Sequence, residues 1–200
     1  MLQPGNDLRL QRWLEALLTT PGLTAIRDPD EAYRVHVEES LAALEHVGRF
    51  PGPVIDVGSG GGAPGIPIAV ALPEREVTLL ESSRKKCAFL ERLTRDVPNV
   101  RVCCGRAEEQ EPDRFGVAVA RALAPPPVAL EWCLPLVVVR GAVILFVGPS
   151  AETDRVTRVA EQLGGDLPEV WPGLLVVRKI HPTPPAFPRR PGMARKRPLA

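Results

Sequence analysis

The sequence predicts a doubly wound α/β fold, in which a mostly parallel sheet is covered by helices on both faces and preceded by short amino-terminal helices. From Phe50 onward, short apolar runs alternate with helix-like segments at the pace of βαβ units. The apolar runs are continuous rather than alternating, as strands buried on both faces require. A glycine-rich turn, VIDVGSGGGAPGIP at 54–67, joins the first such strand to the first such helix.

Residues 7–18 place Leu10, Trp13, Leu14, Leu17 and Leu18 on one stripe of an amphipathic helix, which Thr20-Pro21-Gly22 ends. A second helix starts at Asp28, with Pro29 in the first helical position and Glu31 three residues past the cap, and is expected to run to about Val47. Strands are expected at 53–57, 76–81, 100–104, 116–120, 141–147 and 173–180, with helices at 64–72, 83–95, 124–134 and 151–163. The last strand, 173–180, follows Gly164-Gly165 and leads straight into the tail, and late strands without an intervening helix are expected to pair as an antiparallel edge. Six prolines in the last twenty residues predict neither helix nor interior strand there. The chain thus divides into an amino-terminal helical extension (1–49), an α/β domain (50–180) and a basic Pro/Arg-rich tail (181–200).

Two hundred residues suit one sizeable core, and 44% hydrophobic with 24% charged residues is ordinary for a globular domain. No apolar run reaches the roughly eighteen residues of a membrane helix, and the opening MLQPGNDLRLQRW has no basic or apolar leader region. A cytoplasmic, monomeric protein is expected, without membrane or metal. The four cysteines, Cys87, Cys103, Cys104 and Cys133, lack C-x-x-C spacing and are expected to be buried free thiols. The net charge of +1 hides an asymmetry: Arg189, Arg190, Arg195, Lys196 and Arg197 make the tail +5 and leave the body at −4.

Glycines at 58, 60 and 62 let the main chain turn tightly and approach a ligand closely, and the helix start beyond them can receive a carboxylate or phosphate. The spacing admits two cofactors. Gly58, Gly60 and Gly62 fit the G-x-G-x-G of methyl-donor enzymes, whereas Gly60, Gly62 and Gly65 fit the G-x-G-x-x-G of dinucleotide enzymes. Asp56 before the turn, and Pro64 and Pro67 where a pyrophosphate would want N–H donors, favour S-adenosylmethionine over a nicotinamide. Glu81 ends the second strand, where an acid can accept from ribose hydroxyls. Ala107 and Glu108 follow the third strand, where an amide and a carboxylate could meet adenine. Arg121 follows the fourth, at the ligand-binding rim, and reads as a substrate or cofactor anchor.

In this order, LTAIRDPDE (23–31), HVEES (36–40), DVGSGGGAPGIP (56–67), TLLESSRKKCAFL (78–90), GRAEE (105–109), VARA (119–122) and FPRRPGMARKRPL (187–199) resemble one family. It is the glucose-inhibited division protein B family of bacterial 16S ribosomal RNA guanine-N7 methyltransferases. The resemblance implies a Rossmann-like class I methyltransferase domain and S-adenosylmethionine as cofactor. It implies donor contacts at Gly58, Ala63, Ala107, Glu108 and Arg121, with Ser59, Gly60 and Glu81 completing the donor site. Lys85 and Lys86 would lie at the donor rim. The partner would be 16S ribosomal RNA or the small-subunit particle, in its 530-loop region. Lys85, Arg189, Arg190, Arg195, Lys196 and Arg197 would face RNA. Two departures stand out: LTTPGLTAIRDP where the family has an aromatic-Asn segment, and Val147 before Gly148 where it tends to carry a basic residue.

Guanine N7 is an unprotonated lone pair, so in-line methyl transfer needs positioning and no general base. His36, alone on a helix, is expected to be structural. The tail is expected to grip phosphates, so that its removal weakens RNA binding and leaves donor affinity nearly unchanged. Two other readings stand beside this one: an NAD(P)-dependent oxidoreductase, and a non-catalytic RNA-binding protein with a vestigial donor pocket.

Overall fold

The structure is a computed structural model that describes residues 7–149 and 151–200; residues 1–6, the start of the segment inspected for a leader, lie outside the described residues. Seven strands form one sheet in the order β3-β2-β1-β4-β5-β7-β6. They are β1 Val54–Val57, β2 Val77–Glu81, β3 Val100–Cys104, β4 Phe115–Arg121, β5 Val137–Phe146, β6 Glu169–Trp171 and β7 Leu174–Arg178. β1 to β5 are parallel, while β7 runs antiparallel to both β5 and β6. The chain therefore reverses its winding between β1 and β4, which opens a crevice at their carboxyl ends.

Alternation along each strand feeds two apolar layers. Val54, Val77, Leu79, Val117, Val119 and Ile144 face one layer, shared with Leu10, Trp13 and Leu17 of α1 (Leu8–Thr19) and with Val37, Ala43 and Val47. α5 (Gly65–Ala71) and α6 (Arg84–Leu93) complete that side. Ile55, Val57, Ala118, Ala120, Val143 and Leu145 face the other layer, under α7 (Pro126–Cys133) and α8 (Thr153–Leu163). Because both faces are covered, the inner strands β1 and β4 carry no polar alternation, whereas the edge strands β3 and β6 expose side chains.

The single helix expected over 28–47 is broken. α2 (Pro29–Tyr33) passes into a π-helical turn at Arg34–Glu38, then α3 (Glu39–Leu41) and α4 (Leu44–Gly48). Side chains divert its carbonyls: Arg121 donates to Val35 O at 2.6 Å, and Ser40 Oγ to His36 O at 2.7 Å. A donor inserted into the ladder widens the turn locally.

Other departures have similarly local causes. The three-residue β6 was missed because its side chains are largely exposed and give no apolar run. β5 starts at Val137 because the buried Lys179 ammonium donates to Val137 O (2.8 Å) and Asp113 (2.7 Å), tying that end to β7. Cys87 and Cys133 are buried, but Cys103 is half-buried and Cys104 exposed, since β3 is an edge strand. The tail holds one helical turn after all, α9 (Met193–Lys196), in the proline-free stretch after Gly192. Buried Ala194 docks it on the α7 side of the sheet.

Trp13 ties this scaffold to the glycine turn: it is 1% exposed, and its indole N–H donates to Gly61 O at 2.7 Å. Trp13→Phe keeps most of the packing and leaves that carbonyl unpaired. Denaturant unfolding should show a loss of about 1–2 kcal/mol; an unchanged midpoint would mean that water replaces the indole.

Candidate active site at the glycine turn

Gly58, Gly60 and Gly62 have φ of +74°, +57° and +107°, the left-handed region that a side chain opposes. The N–H groups of Gly58 and Ser59 both donate to Leu80 O, at 2.8 and 3.0 Å, hanging the turn on β2. A Cβ at Gly58 would lie 2.4 Å from Leu123 Cδ1. Gly58 is thus bare main chain facing a side chain across a gap that admits nothing larger than hydrogen.

Side chains from β1 and β2 brace the turn together with Trp13. Asp56 Oδ2 accepts from Gly65 N at 3.0 Å, and Glu81 accepts from Gly60 N at 2.9 Å and Ser83 N at 2.7 Å. Ser59 is buried, with its hydroxyl donating to Asp56 O at 2.9 Å and its carbonyl accepting from Gly62 N at 2.7 Å.

Two clefts meet at Gly58. One, of about 270 Å³, is lined by Val57, Gly58, Leu80, Ser82, Ala107, Glu108, Leu123, Trp132, Gly192 and Arg195. The other, of about 420 Å³, is lined by His36, Glu39, Gly58, Ser59, Gly60, Ala63, Lys86, Arg121 and Ala122, among others. The expected donor residues Gly58, Ser59, Gly60, Ala63, Ala107, Glu108 and Arg121 are therefore brought together. Glu81, at the end of β2, lines neither of these clefts; its carboxylate braces the turn through Gly60 N. A third cleft, of about 490 Å³, shares Glu39, Arg121 and Ala122 with the second and adds Val147 and Gly148.

Arg121 joins the helical layer to the sheet. One terminal nitrogen donates to Val35 O at 2.6 Å and the other to His36 Nδ1 at 3.0 Å. Since a guanidinium only donates, Nδ1 accepts, and the His36 proton sits on Nε2, directed to Thr24 Oγ1 at 3.0 Å. Burial, then the Arg121 charge, pushes His36 down to about 4, so the ring is neutral near pH 7. Burial pushes Asp56 up to about 7, against the Gly65 and Ser59 hydrogen bonds and the Arg121 charge. Burial also lowers the Arg121 pKa.

The basic residues divide. Lys86 lines the larger cleft while Lys85, on α6, is exposed and lines none of the three. Arg190, Lys196 and Arg197 are exposed on the tail. Arg189, expected to face RNA, is turned inward. It holds both oxygens of Glu131, which is 3% exposed, at 2.5 and 2.6 Å. Trp13, Leu123, Trp132 and Gly192 were not foreseen as parts of the site. They lie far from the turn in sequence, and only Trp13, as an indole in an apolar stripe, hinted at a polar partner.

Solved structures with this architecture include an S-adenosylmethionine-dependent O-methyltransferase from Thermotoga maritima, with TM-score 0.60, 14% identity, and 74% of this chain and 66% of that chain covered. A methyltransferase structure from Methanococcus maripaludis is similar, with TM-score 0.59, 15% identity, and coverage of 76% and 90%. The fold is that of the class I methyltransferases. The family model described as rRNA small subunit methyltransferase G matches residues 8–163. Proteins named ribosomal RNA small subunit methyltransferase G are 39% identical in Moorella thermoacetica, covering 88% of this chain and 82% of the relative, and 37% identical in Thermotoga neapolitana, covering 94% and 89%. The chain belongs to the rRNA small subunit methyltransferase G family. These matches set aside the oxidoreductase and vestigial-pocket readings.

Gly58→Ala should weaken S-adenosylhomocysteine binding at least about tenfold in calorimetric titration and cost about 1–2 kcal/mol of stability, because it forces a side chain into a left-handed turn against Leu123. A second expectation concerns pH. The Asp56 contribution to stability is full below its ordinary 3.8 and is lost as pH rises through 7; the His36 contribution is full above 6.5 and is lost as pH falls through 4. The two oppose each other between 4 and 6.5. His36→Asn should therefore show a thermal midpoint that falls more steeply than wild type from pH 4 to 7, whereas parallel profiles would refute the opposition.

Proposed function

We propose that the chain methylates N7 of a guanine in the 530-loop region of 16S ribosomal RNA, with the donor lying across Gly58 between the two clefts. As a member of its family it is an S-adenosylmethionine-dependent methyltransferase of small-subunit ribosomal RNA. The observation that carries the donor site is the main chain at Gly58, which lines both clefts in a left-handed turn where a Cβ would strike Leu123. Gly58, Ser59, Gly60 and Ala63 would hold the donor by main chain, and Ala107 and Glu108 would meet its adenine. The bound sulfonium supplies an electrophilic methyl group and a good leaving group.

The chain's own contribution is positioning. Glu39, Arg121 and Ala122 belong to both the larger donor-side cleft and the open cleft beside Val147, so a base seated in the latter reaches the methyl end of the former. Neither His36 nor Asp56 offers a general base: both His36 nitrogens are engaged and Asp56 is sealed beneath the turn. An N7 nucleophile fits such a site, because it carries no proton to remove. Glu39, on the walls of both clefts, would lie near the base as positive charge grows on it. The exposed Arg190, Lys196 and Arg197 would meet phosphates, a contact that weakens with salt.

Small subunits from cells lacking this chain, incubated with purified protein and methyl-labelled S-adenosylmethionine, should gain label at one guanine that becomes cleavable at N7-methylguanine. Label at another base or atom would overturn the N7 assignment, and no label would overturn the substrate.

A further inference from the structure

We propose that the carboxyl-terminal segment from Arg189 to Arg195 is the outer wall of the adenosine half of the donor site, with Arg195 as a positioning residue. The proposal rests on the donor-site reading above and adds a component to it that the family resemblance assigned to RNA. Glu108 Oε1 accepts from Gly192 N at 3.0 Å, so the carboxylate expected near adenine is oriented by the tail. Arg195 donates to Leu123 O at 3.0 Å, and its guanidinium lies 5.2 Å from the centroid of the Trp132 ring. Leu123 is the residue whose side chain crosses Gly58, and Trp132 lines the same cleft with an indole N–H that has no hydrogen-bond partner. One tail residue thus fixes two walls of the smaller cleft.

The segment can serve this way because it is clasped at both ends of the span. Arg189 and the buried Glu131 form a two-pronged pair, charge-assisted and directional, on α7. Buried Ala194 seats the helical turn on the apolar layer beneath. Gly192 at φ +83° turns the chain between these anchors and presents its N–H to Glu108. Arg190, Lys196 and Arg197 remain exposed on the same segment. A short strap therefore carries a donor-side face and a cationic outer face, which makes donor affinity depend on residues otherwise assigned to RNA.

The test is calorimetric titration of S-adenosylhomocysteine into wild type, Arg195→Ala and Arg195→Lys, with donor and RNA KM measured on small subunits. Arg195 is an exposed residue, so both variants should fold with wild-type circular dichroism. Arg195→Ala should raise the Kd about tenfold, the scale of one charge-assisted hydrogen bond. The donor KM should rise with it, while kcat at saturating donor is kept. Arg195→Lys should recover part of the loss, since an ammonium can reach Leu123 O but lacks the flat face that covers Trp132. An unchanged Kd in Arg195→Ala, with or without a higher RNA KM, overturns the strap. Wild-type protein that fails to bind S-adenosylhomocysteine overturns the donor-site reading and the strap together.

Discussion

The glycine turn has to be open to a ligand and still hold one shape, and meeting both demands governs how the rest of the molecule is arranged. Removing Cβ at Gly58, Gly60 and Gly62 frees space but also removes the side chains that would normally stiffen a segment. The stiffness comes from elsewhere. Asp56 holds Gly65 N from β1, Glu81 holds Gly60 N from β2, and Trp13 holds Gly61 O from α1. Polar main-chain groups in a half-buried turn need partners, and these side chains supply them without entering the ligand's space. The amino-terminal helix is in this sense part of the site, since it shares one apolar layer with the sheet and also caps the turn.

Arg121 solves a second problem, that of joining a helical layer to the end of a strand. Its donors go to Val35 O and His36 Nδ1, which widens the helix into a π turn and fixes the imidazole tautomer. The same charge lies near Asp56, where it favours the ionised form against burial. A residue that looked like a simple ligand anchor is thus also a structural joint. Its place on the walls of two adjoining clefts means that any change in the joint is felt in both.

The tail shows how a proline-rich, cationic segment becomes ordered without strands or long helices. Prolines restrict the chain's freedom in advance, so a few anchors suffice to fix it. The Arg189–Glu131 pair is the strongest of these, because Glu131 is almost wholly withdrawn from water and would otherwise be a buried charge without a counterion. Composition alone makes such a tail look like a free polycation.

Much of the sheet was legible from residue order alone. Continuous apolar runs at β1 to β5 and β7 announce strands covered on both faces, the glycine turn announces a ligand between β1 and α5, and Gly58, Ser59, Gly60, Ala63, Ala107, Glu108 and Arg121 do line adjoining clefts. These are local properties: periodicity, backbone permission at glycine, and position at a strand's end travel with the sequence itself. Tertiary structure decided what each polar side chain is used for. Glu81 braces the turn because Gly60 N lies within its reach; Arg189 turns inward because Glu131, fifty-eight positions away, is buried beside it. The helix over 28–47 broke because Arg121 arrives from β4 to take one of its carbonyls. A hydrogen bond between distant residues depends on where the whole chain puts both ends, and no pattern near either end records it.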